Sequence, residues 1–179
     1  CLLGSPTIVE DGKTIFVPNG KISAFLYYLF VKKFVSRDEV AGIFWGDSDD
    51  ERARISLRNA LHKAKKLFAS DIILAPNKTT LTLNPDVGLI LDIEEFEKNP
   101  IDNLYLYKGD FLKGFYVKDS VEFDYFITKN RSHYEDIFIQ SSIDSIKQDL
   151  ISNKTDDIEL KISNLLADET LEDTKKYVN

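Results

Sequence analysis

The chain has 179 residues, of which 43% are hydrophobic, 30% charged and 12% aromatic, with a formal net charge of −7. That length holds one large domain or two small ones with a substantial core, and no apolar run reaches the ~18 residues of a membrane span. One cysteine excludes an internal disulfide framework and a multi-cysteine zinc site, and two histidines argue against a histidine-rich metal centre. Nothing at the start has the pattern of a secretory signal. A cytoplasmic, bacterial-type protein is therefore expected.

Charge is segregated along the chain. Residues 1–99 carry 13 Lys and Arg against 14 Asp and Glu, whereas residues 100–179 carry 10 against 16. Arg52, Arg54, Arg58, Lys63, Lys65 and Lys66 put six positive charges into 15 residues with no acid among them, directly after Asp47, Asp49, Asp50 and Glu51. An acidic average thus hides a basic segment.

Leu2-Leu3-Gly4 reads as strand, and because Cys1 is not a start methionine the numbering is expected to open inside a longer protein. Residues 7–10 and 13–17 flank Asp11-Gly12, a strong hairpin signal, since a type I′ turn needs positive φ at both central positions. After Pro18-Asn19-Gly20, the residues Ile22, Phe25, Leu26, Leu29 and Phe30 recur at helical spacing as one apolar stripe. Ser36 and Glu39 have the spacing of a capping box that starts a second, short helix, ended by Gly46. Ser48 and Glu51 repeat that spacing and are expected to start a third helix over 49–68. Acids in its first turn and lysines in its last complement the helix dipole. Three helices with a tight turn between the second and third are the grammar of a helix-turn-helix. Residues 71–74 and 80–83 bracket Ala75-Pro76-Asn77-Lys78-Thr79 as a second hairpin, and Asp92 is expected to cap a short helix that fades at Asn99-Pro100.

From Ile101 onward the strand signals stop. A long helical pattern over 119–152 carries Phe123, Phe126, Ile127, Tyr134, Ile137 and Phe138 at helical spacing. A turn at 153–155, a shorter helix over 156–166 with Leu160, Ile162, Leu165 and Leu166 apolar, and a last helix from Asp168 follow. The expected fold class is an α+β winged helix-turn-helix domain over 1–99, with an N-terminal β-sheet and a C-terminal wing hairpin. An all-α domain over 100–179, itself incomplete, is expected after it.

On a wheel of about 100° per residue, Ala53, Leu57, Ala60, Leu61, Ala64 and Phe68 gather on one side of the third helix. Ile55, Asn59, His62 and Lys66 take the opposite side, flanked by Arg52, Arg58 and Lys63. Arg58 has the donors for guanine O6 and N7, Asn59 the amide for adenine N6 and N7, and Ile55 the apolar surface for a thymine methyl. Lys65 and Arg54 lie further round and suit phosphates. Lys78, Thr79 and Thr80 at the tip of the second hairpin are placed to touch the adjacent minor groove or backbone. Most charge runs are solvated helix faces; what favours DNA here is the third place in a helix-turn-helix, followed by a lysine-tipped hairpin.

No cofactor, metal or catalytic constellation is expected. The acids at 47–51 have capping rather than ligand spacing. His62 lies on the basic face, His133 is assigned to a helix surface without a useful partner, and Cys1 has no base beside it. Gly109-Asp110-Phe111-Leu112-Lys113-Gly114 lacks the spacing and ending of a phosphate loop.

The stretch ARISLRNALHKAKKLF at 53–68, preceded by VSRDEVAGIFWGDSDDER at 35–52, resembles the winged-helix DNA-binding domain of the SARP/AfsR-type regulators, akin to the response-regulator output domain. The stretch LYKGDFLKGFYVKDSVEFDYFITKNRSHYEDIF at 106–138 is similar to the opening of the bacterial transcriptional activator domain, which follows that winged helix and is built of tetratricopeptide-like helices. The resemblance implies a transcriptional regulator, usually an activator, whose third helix enters the major groove of double-stranded promoter DNA with the hairpin 72–83 as its wing. It implies a dimer on repeated sites, and the helical domain is expected to supply that pairing or to contact RNA polymerase. By position, Arg58, Asn59, His62 and Lys66 fall on the family's recognition-helix face. The alternative is a protein-interaction module, in which the acidic helical half holds a partner's helix and the first half is scaffold.

Overall fold

The computed structural model describes residues 1–152 and 158–166; the expected turn at 153–155 and the last helix from Asp168 lie outside them. The fold is α+β. Strands β1 (Ile8–Glu10) and β2 (Lys13–Ile15) pair antiparallel around Asp11-Gly12, both at positive φ as such a turn requires. Helix α1 (Lys21–Lys32), strand β3 (Phe34–Ser36), helix α2 (Arg37–Trp45) and helix α3 (Asp50–Lys65) follow. Next come the hairpin of β4 (Ile73–Leu74) and β5 (Thr80–Leu83), helix α4 (Asp92–Lys98), a single 3-10 turn at Leu104–Leu106, helix α5 (Val121–Ile151) and helix α6 (Ile158–Leu166).

Strand β3 is an addition to the expected elements. It lies against β5, so the second sheet has the order β3-β5-β4, antiparallel throughout. Val35 and Leu81 face each other in register and are both buried, which fixes the pairing. Lys33, at φ 64, turns the chain out of α1, and its carbonyl accepts from the Leu83 amide and the Thr82 hydroxyl.

Helix α1 is buried continuously from Ser23 to Phe30, broader than the single stripe expected, because it is packed from two sides. Tyr28 meets Phe44 of α2 at 6.2 Å between ring centroids and Phe126 of α5 at 4.8 Å, while Tyr27 meets Phe115 edge-on at 5.1 Å. The capping box of α2 forms as read. Ser36 Oγ accepts from the Glu39 amide at 3.0 Å, and Glu39 accepts from the Ser36 amide at 3.3 Å. The second oxygen of Glu39 takes the Tyr28 hydroxyl at 2.6 Å; burial, and then this carboxylate, push the Tyr28 phenol well above its ordinary pKa.

Four local expectations change. Asp49, not Ser48, caps α3: its carboxylate accepts from the Arg52 amide at 2.9 Å, and a charged acceptor gains from the helix dipole. Helix α3 ends at Lys65 instead of continuing to Phe68, because the amides of Ala69 and Ser70 donate to the Glu10 carboxylate of β1, at 2.9 and 3.0 Å. Asp92 does not cap α4; its carboxylate reaches back to the amides of Leu2 and Leu3, at 2.7 and 2.8 Å. Leu2-Leu3-Gly4 makes only an isolated bridge, Leu3 to Phe111, instead of a strand.

One apolar core runs from Leu2 to Phe138 and continues across residues 99–100. Phe44 of α2 packs on Phe123 of α5 at 5.2 Å, and Ser120, buried, donates to the Ile43 carbonyl at the end of α2 at 2.7 Å. Arg131 of α5 donates to the carbonyls of Phe111 and Leu112 at 3.0 and 3.2 Å, holding the 109–114 loop against α5. Helix α6 packs on α5, Lys161 reaching Ser145 at 2.9 Å and Asp149. Leu165 packs toward the core, while Leu160 and Ile162 are exposed.

Candidate nucleic-acid interface

The orientation of α3 follows from its small residues. Ala53, Leu57, Ala60, Leu61 and Ala64 are all buried, three of them alanines that let neighbouring helices approach closely, and Phe68 is half-buried just past the helix. Packing this side fixes the other. Arg52, Arg54, Ile55, Arg58, Asn59, His62, Lys63 and Lys66 are exposed, and Lys65 is half-buried. Ile55, 47% exposed, is the apolar member of that face.

These cations differ in their partners. Arg52 Nε lies 3.1 Å from Asp49, Arg54 Nη2 3.4 Å from Asp38 of α2, and Lys65 Nζ 2.9 Å from Asp71. The side chains of Arg58, Asn59, His62, Lys63 and Lys66 have no hydrogen-bond or ion-pair partner among the described residues. A solvated row of five such groups on one side of a rigid helix has donors for phosphate and base edges, one amide that both donates and accepts, and no acid opposing them.

Part of the expected hairpin tip, Lys78 and Thr79, is exposed. Asn77 Oδ1 accepts from the amide and the hydroxyl of Thr79, both at 2.9 Å, which shapes the tip as an Asx turn. The Thr79 carbonyl accepts from the Arg37 amide at 2.8 Å and ties the tip to the start of α2. Thr80 leaves the candidate site. It is 7% exposed and pairs in register with Ser36, so its side chain is covered where β3 runs into α2.

Arg37 was missing from the candidates. It is half-buried at the junction of α2 and the hairpin, and its Nε has no hydrogen-bond partner among the described residues. The signal lay in the sequence: a cation in the first turn of a helix opposes the dipole and needs another reason to be there. His133 is exposed on α5 but is not partnerless, since its Nε2 lies 2.7 Å from Glu97 of α4. Among the described residues, no group of three or more His, Cys, Asp or Glu is placed to hold a metal ion, and no helix is long and apolar enough to cross a membrane.

No model of a known protein family matches the chain, and no curated protein is significantly similar to it.

Proposed function

We propose that the chain is a sequence-selective, double-stranded DNA-binding transcriptional regulator, an activator by its resemblance to the SARP/AfsR-type proteins. Helix α3 lies in the major groove and the β4–β5 hairpin is the wing. The observation that carries this reading is the exposed row of Arg58, Asn59, His62, Lys63 and Lys66, without partners among the described residues and opposite a fully packed side. At 1.5 Å per residue, α3 is about 24 Å long, and a major groove about 12 Å wide admits a helix. The order α1, β3, α2, α3, β4, β5, with β3 beside β5, supports a winged helix over 1–99. The segment 100–179 is then the tetratricopeptide-like activator domain, supplying contacts to a second copy on repeated sites and to RNA polymerase. Pairing on DNA raises a modest single-site affinity through effective concentration. Promoter DNA as the target implies a cytoplasmic location.

Selection of duplexes from a random pool tests this reading. The wild-type chain enriches a short motif, and the doubly substituted Arg58→Ala/His62→Ala chain enriches none while its thermal unfolding is unchanged. Equal enrichment by both contradicts it.

A second reading, a protein-interaction module, is favoured by one observation. Leu150 and Ile151 at the end of α5, and Leu160 and Ile162 on α6, are large apolar residues left exposed among the described residues. A protein partner on this surface as the sole function predicts that Arg58→Ala/His62→Ala leaves activity intact.

A further inference from the structure

The charged residues around α3 fall into two sets. Arg52, Arg54 and Lys65 each face a carboxylate: Asp49, Asp38 and Asp71 respectively. Arg58, Lys63, Lys66 and the hairpin's Lys78 face none among the described residues. The division is positional. The paired arginines occupy the first turns of α3, the free cations run from Arg58 to its carboxyl end over about 12 Å of helix, and Lys65 lies further round. Asp38 reaches Arg54 from a different helix, across a groove of about 390 Å³ between α2 and α3.

All three pairs are well exposed, with the acids 59–74% accessible, and pairs of this kind contribute little to folding. Their consequence for a polyanion is larger. A free lysine or arginine brought to a phosphate releases a condensed counterion, and this release supplies essentially all sequence-independent affinity. A paired one must first give up its carboxylate, which then stands as a negative charge beside the duplex. Its net contribution is close to nil.

Resting on the DNA-binding reading of α3, we infer that the free cations Arg58, Lys63, Lys66 and Lys78 supply the phosphate contacts to duplex DNA, and that Asp38, Asp49 and Asp71 are specificity-setting residues. They keep Arg52, Arg54 and Lys65 from neutralising phosphates, hold down binding to arbitrary sequence, and leave discrimination to Arg58, Asn59 and His62. Since the useful quantity for a regulator is the ratio of specific to non-specific affinity, lowering the second raises the ratio.

The number of phosphates neutralised can be counted. At about −0.9 per phosphate in a log–log plot of affinity against salt, the four free cations give a slope of about −4, and all seven cations of α3 and the hairpin give about −6. Arg37 adds at most about one to either value. The experiment is fluorescence anisotropy of the full chain on a labelled random-sequence duplex pool across a salt series. The wild-type slope is expected near −4 on the same scale. Asp38→Asn and Asp49→Asn should each steepen it by about one and raise affinity several-fold at low salt. Asparagine is itself a good N-cap, so Asp49→Asn keeps the start of α3. Arg54→Ala leaves the slope unchanged, whereas Arg58→Ala makes it shallower by about one. Aspartate variants that bind the pool with unaltered slope and affinity overturn the inference and leave the DNA-binding reading standing. A wild-type chain that binds no duplex in a salt-dependent way ends that reading, and the inference with it.

Discussion

In α5 the guanidinium of Arg131 is used up inside the protein, donating to the carbonyls of Phe111 and Leu112, and the imidazole of His133 rests on Glu97. In α3 the corresponding groups, Arg58 and His62, are exposed and have no side-chain partner among the described residues. The apolar sides differ too. Helix α5 fills space with Phe123, Phe126, Tyr134 and Phe138, whereas α3 lies close to its neighbours on Ala53, Ala60 and Ala64. One helix holds the molecule together through large rings and satisfied cations. The other is held in place by small residues and leaves Arg58, His62, Lys63 and Lys66 exposed, with no side-chain partner among the described residues. Residue type does not separate these roles; the carbonyl or carboxylate within reach does.

The sharpest contrast is in stability. Phe123→Ala, deep between Phe44, Phe115 and Phe126, is expected to cost about 3–5 kcal/mol in chemical denaturation. Arg131→Ala removes two bonds from a charged donor to backbone carbonyls and is expected to cost about 2 kcal/mol, while Arg58→Ala stays within about 0.5 kcal/mol. Equal costs for the two arginines would erase the distinction between the helices. Ser120→Ala, which frees the Ile43 carbonyl at the end of α2, should cost about 1 kcal/mol and loosen the junction of α2 with α5. Amide hydrogen exchange near Ile43 would register it.

The smallest effect is acid-dependent. Backbone amides of Ala69 and Ser70 hold the Glu10 carboxyl below its ordinary pKa. A depressed folded pKa gives stability that is fully present above the unfolded value and is lost as pH falls through the folded one. Glu10→Gln should therefore lower the melting temperature slightly at neutral pH, with the difference from wild type vanishing in acid. A difference that grows on acidification would contradict the role given to Glu10.

Much of this was legible in the sequence because the signals were local. Ser36 and Glu39 are three residues apart, Asp11-Gly12 is its own turn, and the Ala and Leu spacing of α3 announced its buried side. What was not legible depends on residues distant along the chain. Strand β3 is three residues long and exists because Val35 meets Leu81. Thr80 looked like a hairpin tip and is covered because Ser36 lies opposite it. Asp92 has the look of a cap, and only the packing of Leu2 and Leu3 shows what it binds. Within the site, the Arg52–Asp49 pair is an i, i+3 neighbour relation open to sequence, whereas the Arg54–Asp38 pair needs two helices to be brought together.

The most direct test of an outward-facing α3 is a heteronuclear NMR titration of the full chain with a duplex recovered by selection. Resonances of Arg58, Asn59, His62, Lys63 and Lys66 in α3, and of Lys78 at the hairpin tip, are predicted to shift together and saturate with one affinity. Those of Arg131 and His133 in α5 should stay where they are. Shifts confined to α5 and α6, with α3 unmoved at saturation, would contradict the assignment of this helix to DNA.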